Sequence, residues 1–310
     1  MPRILITDSL FLPIGGPDEE RLKAEGYEID RLDVPRADEE TLIQHISGAD
    51  GYILGGIESV TDKVIHAADT LKAIAFTGSG YAEFIPGWRL ATSKGIAISA
   101  ARGENADAVA EWSLVSALML VRNIPALTAP GGPDFSITRD FNSLTLGIVG
   151  YGAIGQALAR KAKALGIHVI ATEGKPSDEV TSVSLNELVE QSDIISVHVS
   201  RHRGKTALDA TAIKSIKPGS VLVNAAFEEA IDNDALLQRV ADGELRAAVD
   251  YPLQADDLPL GALLASNAQT AFNTAETNAR VGARATTSLL NLLNSGDDAD
   301  LVNPEYRNNR

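Results

Sequence analysis

The sequence predicts an α/β protein of two doubly wound parallel-sheet domains, one flavodoxin-like and one of Rossmann type. Short apolar runs alternate with amphipathic helical stretches from the first residues onward, the pattern of parallel strands joined by crossover helices. In mid-chain a glycine-rich turn, Gly150-Tyr151-Gly152-Ala153-Ile154-Gly155, leads from an apolar run into a helix-forming stretch. A length of 310 residues gives room for two cores of ordinary size.

Taken in order, strands are read over Arg3–Thr7, Tyr27–Leu32, Gly51–Leu54, Ala73–Thr77 and Ile96–Ser99. Helices are read between them over Pro17–Ala24, Glu39–Ser47, Thr61–Ala68 and Trp88–Ser93. Residues 1–100 thus form the first domain, and 285–310 return to it on a closing helix, Glu276–Leu293, because chain termini tend to lie together. The stretch Asn105–Val121 is a helix so apolar that it must be buried on more than one side, against a domain or another subunit. Pro125–Asn142, with three prolines and two glycines, reads as a linker. The second domain is assigned to 101–284, with strands at Gly166–Ala171, Ile194–His198, Ser220–Asn224 and Arg246–Asp250 and helices at Asp209–Ser215 and Asp232–Ala241. A cleft is expected at the carboxyl ends of the strands.

The glycine turn has a physical purpose. A pyrophosphate must approach backbone N–H groups at a helix N-terminus, where the dipole favours negative charge and a Cβ would obstruct. Gly150, Gly152 and Gly155, with the amides of Ala153 and Ile154, meet that need. Glu173 ends the following strand, about where an acid would accept from a ribose 2′-hydroxyl and repel a 2′-phosphate, which favours NAD over NADP.

Composition excludes several classes. With 42 acidic against 27 basic side chains the net charge is −15, which argues against nucleic acid or an anionic membrane as partner, so any anionic substrate needs a local cation. The absence of cysteine excludes disulfides, thiolate metal sites and cysteine nucleophiles, and no histidine or carboxylate set has convincing metal-ligand spacing. No G-x-S-x-G elbow is present. The N-terminal apolar run is too short for a secretory signal and Leu114–Val121 too short to span a bilayer, so a cytoplasmic location is expected.

Several segments together resemble the D-isomer-specific 2-hydroxyacid dehydrogenases. Gly78-Ser79-Gly80-Tyr81 is similar to the family's substrate-carboxylate loop, and Val109-Ala110-Glu111-Trp112 to its V-A-E-H helix start. Residues 192–200, S-D-I-I-S-V-H-V-S, resemble its A-D-x-x-S-x-H-x-P strand, and 217–224, K-P-G-S-V-L-V-N, its K-x-G-x-x-x-x-N strand. The resemblance implies a homodimer, a substrate domain built from the start and end of the chain, and a central NAD-binding domain. In it Asp250 accepts from the nicotinamide carboxamide, and His198, Ser200, Asn224 and Ala225 line the rest of the dinucleotide site. A packing histidine at a strand end is the competing reading of His198.

The resemblance breaks at the family's catalytic side chains. Phe227 stands where the arginine of N-T-A-R-G would be, Phe272 where the histidine of T-P-H would be, and the loop after Asp250 offers no aligned glutamate. General acid/base catalysis contributes roughly 10²- to 10⁴-fold, and phenylalanine supplies none of it. Two functions are therefore expected: an NAD-dependent oxidoreductase with altered chemistry on a small molecule carrying an apolar or aromatic portion, or a catalytically silent NAD-binding sensor or partner-binding dimer. For the first, Arg102 is the candidate anion binder and Tyr81 and Glu228 the candidate proton-transfer groups, against the alternative that each is a solvated or packing side chain.

Overall fold

The computed structural model describes residues 1–8, 10–32, 36–55, 58–172, 180–201 and 206–309. The chain divides into two units, Met1–Glu104 with Thr274–Arg310, and Asn105–Asn273. The sequence placed these borders at 100/101 and 284/285. They fall elsewhere because the closing helix, Ala275–Asn294, lies whole against the first unit's sheet, starting from Thr274, whose hydroxyl caps it by accepting from the Thr277 N–H.

In the first unit five parallel strands, β1 (Arg3–Ile6), β2 (Glu28–Arg31), β3 (Gly51–Leu54), β4 (Ala73–Phe76) and β5 (Ala97–Ala100), lie in the order β2-β1-β3-β4-β5. That is the flavodoxin-like order. Strands β3, β4 and β5 are buried at every position, continuous apolar runs rather than alternations, because helices cover both faces. The closing helix and α1 (Pro17–Ala24) supply Leu289 and Leu22 to one face, beside Ile4, Ile6 and Ile53. The opposite face is filled from α2 (Glu39–Ile46), α3 (Asp62–Ala67) and α5 (Trp88–Ser93), with α4 (Tyr81–Phe84) a short turn of helix before it. Helix α4 was not expected, because its four residues are too few to show a period.

The polar C-terminal tail is also structured. Leu301 bridges antiparallel to Ser99 at the edge of β5. The fully buried Asn303 then accepts from the Ile98 N–H at 2.7 Å and donates to the Ile96 carbonyl and the Thr92 hydroxyl, each at 2.9 Å. The edge is thereby covered by the tail, through backbone hydrogen bonds of Asp300 and Val302 to Ala100 and Ile98 together with the Asn303 side chain.

The second unit opens with α6 (Ala106–Val121) and α7 (Ile124–Thr128), the latter inside the expected linker. Seven parallel strands follow: β6 (Thr145–Val149), β7 (His168–Thr172), β8 (Thr181–Ser182), β9 (Ile194–Val197), β10 (Val221–Asn224), β11 (Arg246–Val249) and β12 (Leu263–Ala265). Their order, β12-β11-β10-β9-β6-β7-β8, is the Rossmann order with one strand added at the edge. Helix α8 (Ala153–Ala164) joins β6 to β7, and α9 (Leu185–Gln191), α10 (Ala210–Ser215) and α11 (Asn233–Ala241) make the other crossovers. Helix α6 is buried on several sides as expected, packing on α8, β10 and β11, yet it leaves Val115 56% exposed. No helix among the described residues is long and apolar enough to cross a membrane.

Candidate active site

Strand order reverses between β6 and β9, and the crevice at the carboxyl ends of those strands is where this sheet type receives a dinucleotide. The glycine turn sits there. Gly150 has φ +95°, and a Cβ on it would lie 2.6 Å from the His198 carbonyl oxygen. A Cβ on Gly155 would lie 2.5 Å from the Gly150 carbonyl oxygen, so the third glycine lets α8 close onto the turn. Gly152 is different, because nothing occupies the space its Cβ would take.

The helix start carries a further sign. Helices α9, α10 and α11 each begin under a side-chain cap, from Ser184, Asp209 and Asp232. Helix α8 begins at Gly152 with no side-chain cap, so the first-turn N–H groups around Ala153 and Ile154 keep their donors for an external acceptor. An open cradle with uncapped donors fits a pyrophosphate. Glu173, expected to bind the ribose, lies outside the described residues.

His198 follows β9. Its Nε2 pairs with the Ser196 hydroxyl at 2.8 Å, and its Nδ1 has no hydrogen-bond partner among the described residues. Burial lowers its pKa to about 4, so the ring is the neutral imidazole, with a single N–H, at pH 7. Ser200 is exposed, and the next residue, Arg201, sets its guanidinium over the Phe227 ring, with Cζ 4.8 Å from the centroid. Arg201 also pairs with Glu229 at 3.5 Å.

The strand-end residues Asn224 and Asp250 are engaged within the protein. Asn224, fully buried, accepts from the Ala226 N–H at 3.0 Å and donates to the Phe227 carbonyl at 2.9 Å and the Tyr251 hydroxyl at 3.1 Å. The Tyr251 hydroxyl donates in turn to Asn233 at 2.9 Å. Burial pushes that phenol up to about 12, so it stays protonated and serves the network. Asp250 accepts from the Thr270 N–H at 3.0 Å and the Ala271 N–H at 2.9 Å. Gln269 joins the two loops by donating to the Ala226 carbonyl at 2.9 Å.

Phe227 and Phe272 therefore stand on loops fixed by polar groups of β10 and β11. Phe227 is 9% exposed within the core of its unit, and Ala225 beside it is half-buried. Glu228 is exposed and borders a cavity of about 490 Å³ with Thr206, Glu229 and Asn233. Among the described residues no group of histidines and carboxylates could hold a metal.

In the first unit Tyr81 begins α4 and meets Trp88 edge to face, with centroids 6.0 Å apart. Arg102 is exposed just after β5. The sequence did not single out a buried polar group at the ends of β1 and β3. There Thr7 pairs with Tyr52 at 3.0 Å and donates to Glu58 at 3.3 Å, and Asp8 is 4% exposed with Oδ2 unpartnered among the described residues. Burial first, then the Glu58 charge, raises Asp8 to about 6, against the lowering effect of backbone N–H groups led by Phe11.

Comparison with known proteins fits this geometry. Residues 123–266 match the family model described as D-isomer specific 2-hydroxyacid dehydrogenase, NAD binding domain. D-3-phosphoglycerate dehydrogenase of Mycobacterium bovis is 30% identical over 261 residues, 80% of this chain and 48% of that protein. The chain thus spans about half the length of that relative. Hydroxypyruvate reductase of Thermotoga maritima is 31% identical over 224 residues, 68% of this chain and 71% of that one. A crystal structure of a protein from Thermus thermophilus superposes with a TM-score of 0.82 at 26% identity, covering 97% of this chain and 99% of its own.

Proposed function

Because the chain belongs to the D-isomer-specific 2-hydroxyacid dehydrogenase family, we propose that it is an NAD-dependent oxidoreductase whose catalytic groups differ from the family's. Its substrate is a small molecule with an apolar or aromatic portion. The observation carrying this reading is that Asn224 and Asp250 hold the loops of Phe227 and Phe272 with buried hydrogen bonds. On the loops held in this way Phe227 packs into the core of its unit and Phe272 is half-buried.

Bound NAD supplies or accepts a hydride at the nicotinamide C4. The chain's own residues do the rest. The amides from Gly152 to Gly155 hold the pyrophosphate, and Glu173 takes the ribose. Phe227 and Phe272 exclude water and favour an apolar substituent. The proton passes through Glu228 or Tyr81, and Arg102 is the first unit's anion-binding residue. The test mixes protein and NADH with a panel of 2-oxo acids, ketones and imines and follows cofactor absorbance. Turnover on any of them supports the oxidoreductase.

A second reading, a catalytically silent NAD-binding sensor or partner-binding dimer, is favoured by exposed apolar side chains of the second unit. Val115 on α6, Ile124 on α7 and, beyond α7, Phe135 and Ile137 are 56%, 41%, 81% and 95% exposed, an apolar set suited to a second copy of the chain. Tight NADH binding without turnover supports this reading, and failure to bind NADH removes both. The homodimer is proposed under either.

A further inference from the structure

We infer that the connection from β1 to α1 in the first unit receives the apolar end of the substrate, on Leu10 and Ile14, and that the substrate is a 2-oxo or 2-hydroxy acid with an extended alkyl or arylalkyl chain. This deepens the oxidoreductase reading and rests on it.

Where the exposed apolar side chains lie supports the assignment. Among the described residues of the first unit, Leu10 is 47% and Ile14 62% exposed, and the only other exposed large apolar side chain is the terminal Met1. Both stand between the carboxyl end of β1 and the first residue of α1, so they lie at the carboxyl edge of the sheet. Ligands of an open parallel sheet bind at that edge, at the point where the strand order reverses. In the order β2-β1-β3-β4-β5 the reversal falls between β1 and β3, beside this connection. The outer faces of α1, α2, α3 and the closing helix carry no exposed large apolar side chain, so the unit keeps its apolar surface for the ligand edge.

The connection is fixed before any ligand arrives. Between the two exposed side chains Leu12 is fully buried beside Ile4, Ile6 and Leu22. The Asp8 carboxylate accepts from the Phe11 N–H at 2.8 Å, and Arg31 donates to the Asp8 carbonyl at 2.7 Å. The closing helix meets the Phe11 carbonyl oxygen at Gly282, where a Cβ would lie 2.2 Å from it. Ile14 is held at the tip of a β-turn that the Gly16 N–H closes on the Pro13 carbonyl at 2.9 Å, with Gly15 at φ +68°. Apolar groups ordered in advance spare an apolar ligand the entropy of ordering them. The length of the ligand follows from the strand order. The exposed polar side chains Ser79 and Arg102 follow β4 and β5, which lie two and three strands from β1. At the ordinary strand spacing that separation is roughly 10 to 14 Å. A ligand touching both ends is an amphiphile of that reach, which a short hydrophilic acid is not.

The test titrates N-hexyloxamate and N-methyloxamate, unreactive 2-oxo acid mimics that differ only in alkyl length, into the NADH-saturated protein with cofactor fluorescence as the readout. Wild type binds the hexyl compound about 10- to 100-fold more tightly, since a buried methylene is worth about fourfold and this surface covers part of the chain. Leu10→Ser combined with Ile14→Ser reduces that preference to below about threefold, and the denaturation midpoint stays unchanged because both side chains are exposed. Leu10→Met combined with Ile14→Met keeps the preference, because the apolar surface remains. Equal affinity of wild type for the two compounds, or binding of neither, overturns the inference, as does the full preference in the double serine variant. If that variant keeps the preference and changes the sedimentation of the protein, the inference falls and the surface belongs to a second copy of the chain. Failure of wild type to bind NADH fails the oxidoreductase reading itself and takes this inference with it.

Discussion

Asp250 accepts a hydrogen bond from the Ala271 N–H at 2.9 Å, fastening the end of β11 to the loop that carries Phe272. Both carboxylate oxygens are used, the other by Thr270. Asp250→Ala leaves two loop N–H groups without their charged acceptor and is expected to cost about 2–4 kcal/mol, read as a lowered denaturation midpoint. Full stability in this variant would show that the loop is held by something else.

Phe272 is proposed to stand in place of an acid/base histidine, which predicts a gain of function. Phe272→His is expected to raise 2-oxo acid reduction about 10²-fold or more over wild type, measured with NADH at neutral pH. An unchanged rate would mean that residue 272 does not meet the reacting carbonyl.

Acid sensitivity should separate the two units, because two buried groups pull in opposite directions. Asp8 is raised from 3.8 to about 6, so between those values the folded state keeps a proton that the unfolded state releases. Stability therefore falls as pH rises through that window, costing about 3 kcal/mol above it. His198 is lowered from 6.5 to about 4, so the unfolded state takes up the proton first and stability falls as pH drops below 6.5. Asp8→Asn should therefore stabilise the first unit at pH 7 and flatten its decline between pH 4 and 6. Hydrogen exchange measured unit by unit across pH 4–7 checks both signs.

The C-terminal tail should matter more than its composition suggests. Asn303→Ala removes three hydrogen bonds from a fully buried site and is expected to destabilise the first unit by about 2–3 kcal/mol. Denaturant unfolding measures this, and a change below about 0.5 kcal/mol would contradict it.

The exposed face of α6 gives a test of assembly. Val115→Glu places a charge on a side chain now 56% exposed, which a monomer tolerates and a packed dimer does not. Sedimentation should show a dimer in wild type and a monomer in the variant.

Much of the order of strands and helices was legible in the sequence because apolar runs alternate with helix-forming stretches and the glycine turn has one backbone solution, whereas the short α4, α7, α9, β8 and β12 were not read from it. The sequence did not reveal that Asn303 closes the edge of β5, because that contact joins residues more than two hundred positions apart. Nor did it show that Asn224 and Asp250 spend their side chains on the loops of Phe227 and Phe272.

Two parallel sheets and an NAD-type turn could both be read from the order of residues, since each depends on local pattern. Which polar groups face inward came from packing alone. Packing turned His198 into a neutral buried ring, gave Asp8 a raised pKa and set Arg201 over Phe227. Burial and charge pairing depend on what other segments bring within a few ångströms, and no local pattern records that.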